Sequence, residues 1–144
     1  MTLSGWWRRV GATLIDSLLL FIPTTIVYYL VGGVAGRYIG ALFAMLVEGV
    51  YMVKLLTTSA GQTVGNRVVS TRVRDALTGA TITPTQAVRR WVFVAIYGAL
   101  AVTLPTSLVT IPNVIALVDC LYPLFDPRKQ TLHDKFANTL VVRV

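Results

Sequence analysis

The stretch RRVGATLIDSLLLF, residues 8–21, opens on two arginines, turns apolar, and carries one aspartate, Asp16, inside the apolar run. About 20 apolar residues are needed for a helix to cross the hydrocarbon core of a bilayer. This run continues to Val31 and predicts a membrane helix over residues 10–31. An ionised carboxylate in hydrocarbon costs about 2.5–3.5 kcal/mol even on the mildest scale. Asp16 therefore needs either a partner on another helix or a use.

Composition extends the bilayer reading to the whole chain. Of 144 residues 55% are hydrophobic and 13% charged, with a mean hydropathy of +0.69, against roughly 25% charged in an ordinary soluble domain. One membrane domain over residues 1–144 follows, an all-α helical bundle with a small β element. The net charge of +7 comes from basic residues spread between apolar runs, with no basic face interleaved with aromatics, so nucleic acid is not an expected partner. The lone Cys120 excludes an internal disulfide. The N-terminal run is too long for the apolar core of a signal peptide and contains Asp16, so it reads as a retained anchor.

A second span is expected over 38–56, joined to the first through GGVAGR as a helical hairpin. Residues 57–87 are polar, glycine-bearing and β-branched. Val69, Thr71 and Val73 alternate there with Arg72 and Arg74, which predicts a strand and a hairpin turning near Leu77–Ala80, giving a β element over about 66–83. From Arg89 to Phe125 the chain is apolar again, broken by TLPTSLVTIPN. Two spans over 88–104 and 107–125, or a re-entrant hairpin, fit this length. Lys and Arg are retained on the cytoplasmic side of membrane spans. Four crossings leave every one of the 13 Lys and Arg inside except Arg37, with both termini cytoplasmic. The expected location is the plasma (inner) membrane, multi-pass. In the cytoplasmic tail, 126–144, the segment TLVVRV at 139–144 reads as a strand, and since open strand edges are not tolerated in lipid its natural partner is the 66–74 strand.

Three of the six acidic residues, Asp16, Glu48 and Asp119, fall inside these spans. Asp16 follows Arg9 by seven residues, and Asp119 precedes Asp126 by seven on a chain running the other way. At 1.5 Å per residue both lie about 10 Å below the inner surface. Gly5, Arg9, Ala12 and Asp16 share one helical stripe, and Gly36, Gly40, Ala44 and Glu48 share another, where small residues allow close helix packing. Two readings stand side by side for Arg9, Asp16, Glu48 and Asp119. The charges pair, Asp16 with Arg89 or Arg90 and Glu48 with Lys54 or a tyrosine, and so set helix register. Alternatively the carboxylates bind a cation or relay a proton, the default use of ionisable groups in a membrane. His133 has no second ligand at metal spacing, so no metal is expected, and its expected role is hydrogen bonding in a turn. GQTVG, residues 61–65, lacks the lysine of a phosphate loop and reads as a structural turn. No triad context is present, so neither an enzyme nor a cofactor is expected.

RRVGATLID at 8–16, GQTVGNRVVSTRV at 61–73 and LFDPRKQTLHDKFANTLVVRV at 124–144 together resemble the RDD family of prokaryotic membrane proteins, in order and spacing over nearly the whole chain. The resemblance places the family's arginine on Arg9 and its first aspartate on Asp16. The second falls on Asp134, with Asp119 and Asp126 as rivals. Asn66 stands where many relatives carry a lysine. Two spans at the start and a cytoplasmic connection are implied as well. So is a transport-related role, since some relatives are implicated in sodium/proton exchange while others look like small accessory proteins. The expectation is thus proton or small-cation handling by intramembrane carboxylates, in a homo-oligomer or a larger membrane complex. The alternative is a non-catalytic accessory subunit that docks on such a complex and stabilises it.

Overall fold

Gly36 decides where the first hairpin turns. It takes φ +91°, a backbone conformation that costs a residue without a Cβ little, and it ends α1, Trp6–Ala35, and starts α2, Arg37–Thr58. A computed structural model describes residues 2–144. Beyond the hairpin come α3 (Val64–Val68), β1 (Thr71–Asp75), α4 (Pro84–Thr103), α5 (Thr110–Leu121), α6 (Leu132–Phe136) and β2 (Thr139–Arg143). Single 3-10 turns, Thr106–Leu108 and Tyr122–Leu124, extend α5 at both ends.

α1 packs along α2, α2 against α4, and α4 against α5. Close approach in the first pair depends on Gly40, where an added Cβ would stand 2.5 Å from the Tyr28 carbonyl oxygen and 2.8 Å from Gly32 Cα. Gly36 is no part of that packing stripe: it is the turn itself, with open space around its missing Cβ, and Ala44 instead borders a hollow between α1 and α2. Gly49 receives the Trp91 ring, whose Cε2 would lie 2.5 Å from a Cβ there.

Among the described residues three helical stretches are long and apolar enough to cross a membrane: Trp6–Ala35, Arg37–Thr58 and Thr106–Leu124. The 20-residue α4 is not among them. It starts with a Thr83–Gln86 capping box and carries Arg89 and Arg90 in its second turn. The break between α4 and the next stretch falls at Leu104 and Pro105, because proline disfavours helical backbone in the residue before it.

The polar segments gather at one end of the bundle. β1 pairs antiparallel with β2, from Thr71 opposite Arg143 to Asp75 opposite Thr139, the partnership expected from sequence. The β element is smaller than 66–83, however. Residues 64–68 are helical because Thr63 caps them, its side chain accepting from the Asn66 amide at 3.2 Å, and although the chain turns around Asp75 near Leu77–Ala80 as expected, residues 81–83 lead into α4 instead of returning as a second strand. The N-terminus covers the other edge of β2, through Ser4 N–H to Val141 O and Arg143 N–H to Thr2 O, each 2.9 Å. Leu56, Val73, Ile82, Ala87 and Val141 form the buried cluster that fastens this polar cap to α2 and α4.

Candidate functional site

Arg9, Ala12 and Asp16 project from one face of α1, as their spacing requires, but they meet different partners. Arg9 Nη1 donates to Asp134 Oδ2 at 2.5 Å. Arg90 Nη1, from α4, donates to the other oxygen, Oδ1, and to Thr139 Oγ1 at 2.6 Å. Asp134 is fully buried and closes a capping box with Thr131 at the start of α6. Burial alone would raise its pKa, but Arg90 and Arg9 outweigh that and hold the carboxyl well below the usual range. One aspartate thus ties α1, α4 and α6 together, and the Arg90 partner proposed for Asp16 is already taken.

Among the described residues Asp16 has no cationic partner. Its Oδ1 accepts from the Tyr51 hydroxyl at 2.6 Å and the Gly65 amide at 2.8 Å, and its Oδ2 from the Thr63 hydroxyl at 2.6 Å. These donors come from α2 and from the start of α3. The close docking of α3 needs Gly65, where a Cβ would fall 2.1 Å from the Ala12 carbonyl oxygen. GQTVG is thus a docking turn for Asp16.

Asp119, on α5, accepts from the His133 amide at 3.0 Å and pairs with His133 Nδ1 at 2.6 Å. His133 Nε2 lies 3.2 Å from Arg90 Nη2. Since a guanidinium can only donate, Nε2 accepts there and the imidazole proton sits on Nδ1, directed at Asp119. The two clusters therefore adjoin: Asp119, His133, Arg90, Asp134 and Arg9 follow one another without a gap.

Glu48 differs from all of these. Asp75 binds Leu77, Thr78 and Gln86, and Asp126 binds Lys135. Asp16, Asp119 and Asp134 are satisfied as described, while Glu48 makes no hydrogen bond or ion pair among the described residues. Neither Lys54 nor a tyrosine pairs with it. It stands half-buried on the twelfth residue of the 22-residue α2, midway along the helix.

A cavity of about 640 Å³ joins these groups. Arg9, Asp16, Glu48, Arg90, Asp119 and His133 all line it, so the four charged residues singled out from sequence share one space, at the end nearest the polar cap. Tyr51, Thr63 and His133 were not recognised as members, and Arg90 was named only as a partner for Asp16. For Tyr51 a signal existed, because it follows Glu48 by three residues and must share its helix face. No cluster suited to a metal ion occurs among the described residues.

A family model described as RDD family matches residues 3–138. The chain belongs to the RDD family. No curated protein and no solved structure matches it. In this RDD protein Arg9, on which the resemblance placed the family's arginine, bonds Asp134, on which it placed the second aspartate. The membership and the three apolar helical stretches make it a membrane protein.

Proposed function

We propose that this RDD protein is a transport-related, multi-pass protein of the plasma membrane that moves a proton or a small cation through the cavity between α1, α2, α4 and α5. One observation carries the reading: three carboxylates from apolar helices, Asp16, Glu48 and Asp119, line a single space, although hydrocarbon strongly disfavours each of them. Two guanidiniums, Arg9 and Arg90, stand against four carboxyl groups once Asp134 is included, an excess of two negative charges when all four are ionised and of one when Glu48 holds a proton. That balance suits a cation and opposes an anion. The RDD signature supports the site from beneath, with Arg9 and Asp134 locking the cytoplasmic cap onto the bundle and Asp16 anchoring α3.

No covalent chemistry is needed, and no cofactor. A single copy offers few helices to enclose a path, so a second copy or a larger membrane partner completes it. The test is reconstitution in liposomes under an imposed pH gradient, followed by addition of monovalent cations in turn: sodium, potassium and a quaternary ammonium. The reading predicts proton movement with at least one of them, reduced in Asp119→Asn. If wild-type vesicles behave as protein-free ones with every cation, the reading fails.

A further inference from the structure

A second, more open hollow of about 450 Å³ lies between α1 and α2 on the side away from the polar cap. Three residues line both hollows: Phe21, Thr24 and Glu48. Glu48 is the one acidic side chain without a partner among the described residues, and it stands on the wall that the two hollows share. A carboxylate already engaged by two or three donors, as Asp16 is, gains little by exchanging its partners. A free one between two cavities can serve each in turn.

The geometry points to Glu48 as an exchange site that takes either a proton or a monovalent aromatic ammonium ion, one displacing the other, between these two cavities. This rests on the transport reading and names its substrate class. Of the three residues that line both hollows, only Glu48 and Thr24 carry side-chain oxygens, and the Thr24 hydroxyl already donates to Leu20 O at 2.7 Å. A stripped alkali ion needs a fuller oxygen shell, as hard cations do. The larger cavity is instead of the size that holds small organic molecules, and it is walled by Trp6, Phe21, Tyr51 and Tyr97, whose ring faces attract organic cations within about 6 Å. Trp6 is held in place by its indole N–H, which donates to Cys120 O at 2.8 Å.

The groups facing Glu48 bear on its charge. From α1 come Arg9 and Asp16, from α4 Arg90 and Tyr97, from α5 Asp119, from α6 His133, and from its own helix Tyr51. Tyr28 and Tyr29 face it across the second hollow. Both guanidiniums are engaged by Asp134, which leaves Glu48 as the free counter-charge for an incoming cation. Charge balances in the exchange: the ammonium enters as the carboxyl O–H breaks, and the proton leaves to water.

The test uses benzyltrimethylammonium, which carries no proton of its own. Titrated into purified protein in weak buffer, it should bind and release about one proton per ion bound. Glu48→Gln should bind it at least tenfold more weakly and release none, while unfolding at the same temperature as wild type because no contact is lost. Absence of binding, or equal proton release from the variant, overturns the assignment. Vesicles separate the two levels. If sodium or potassium moves protons and the ammonium does not, the substrate assignment falls and the transport reading stands. If no cation moves protons, both fall.

Discussion

Replacing Asp134 with asparagine removes the counter-charge that two buried guanidiniums share. The Asp134 side chain is 0% exposed, and those of Arg9 and Arg90 are 11% and 7% exposed, so neither arginine reaches water without opening the interface. Deleting one member of a buried ion cluster costs about 3–5 kcal/mol, because the remaining charge stays desolvated. In a chain of this size each kcal/mol lowers the melting temperature by about 2–4 °C, so Asp134→Asn should melt about 6–20 °C below wild type. The assay is thermal unfolding in a mild detergent followed by tryptophan fluorescence. Adding Arg90→Met to Asp134→Asn should return part of the loss, with a coupling of about 0.5–3 kcal/mol between the two sites. A single variant melting within 2 °C of wild type, or strictly additive effects, would refute the view that this cluster clamps α1, α4 and α6.

The same cluster sets an acid limit. Asp134 is held below the usual carboxylate range by Arg90 and Arg9, so its contribution is present above the unfolded value of about 3.9 and is lost as pH falls below that toward the folded pKa. Melting temperature should accordingly change little from pH 7 to 5 and drop below pH 4, and a drop between pH 7 and 5 would contradict this. Gly65→Ala puts a Cβ 2.1 Å from Ala12 O and should undock α3, read as protease cleavage within 59–70 that wild type resists. Asp16→Ala removes the acceptor for three donors and should destabilise by about 3 kcal/mol, seen in the same melting assay, even if Glu48 function survives. Cys120 lines the cavity and is the one cysteine, so a trimethylammonium thiol reagent should modify it in membranes. Complete protection without denaturant would contradict water access.

Much of the architecture could be read from local chemistry. The hairpin turn followed from the glycines of GGVAGR, the break at Pro105 from proline's constraint on its neighbour, and the β1–β2 pairing from two strands that had only each other to satisfy. Arg9 and Asp16 share a face because seven residues make two helical turns. Their partners were not legible. Arg9 meets Asp134 across 125 residues of chain, and helical spacing on α1 says nothing about which distant aspartate arrives. Asp16 was matched with an arginine because charge suggested charge, whereas the donors are two hydroxyls and an amide brought in by a glycine's missing side chain. Residues 66–68 read as the start of the 66–74 strand, but Thr63 and Asn66 supplied a helix cap that outweighed it. Glu48 was visible as an intramembrane acid, and only the packing of the other five carboxylates shows that, among the described residues, it alone lacks a partner.

Proton flux through reconstituted vesicles, with wild type and Glu48→Gln at equal incorporation, tests the central claim most directly. On addition of an aromatic quaternary ammonium, wild type should discharge the imposed pH gradient and Glu48→Gln should do so at least tenfold more slowly, with Glu48→Asp restoring part of the rate. Equal flux in wild type and Glu48→Gln, or wild-type flux no faster than in protein-free vesicles, would contradict the account.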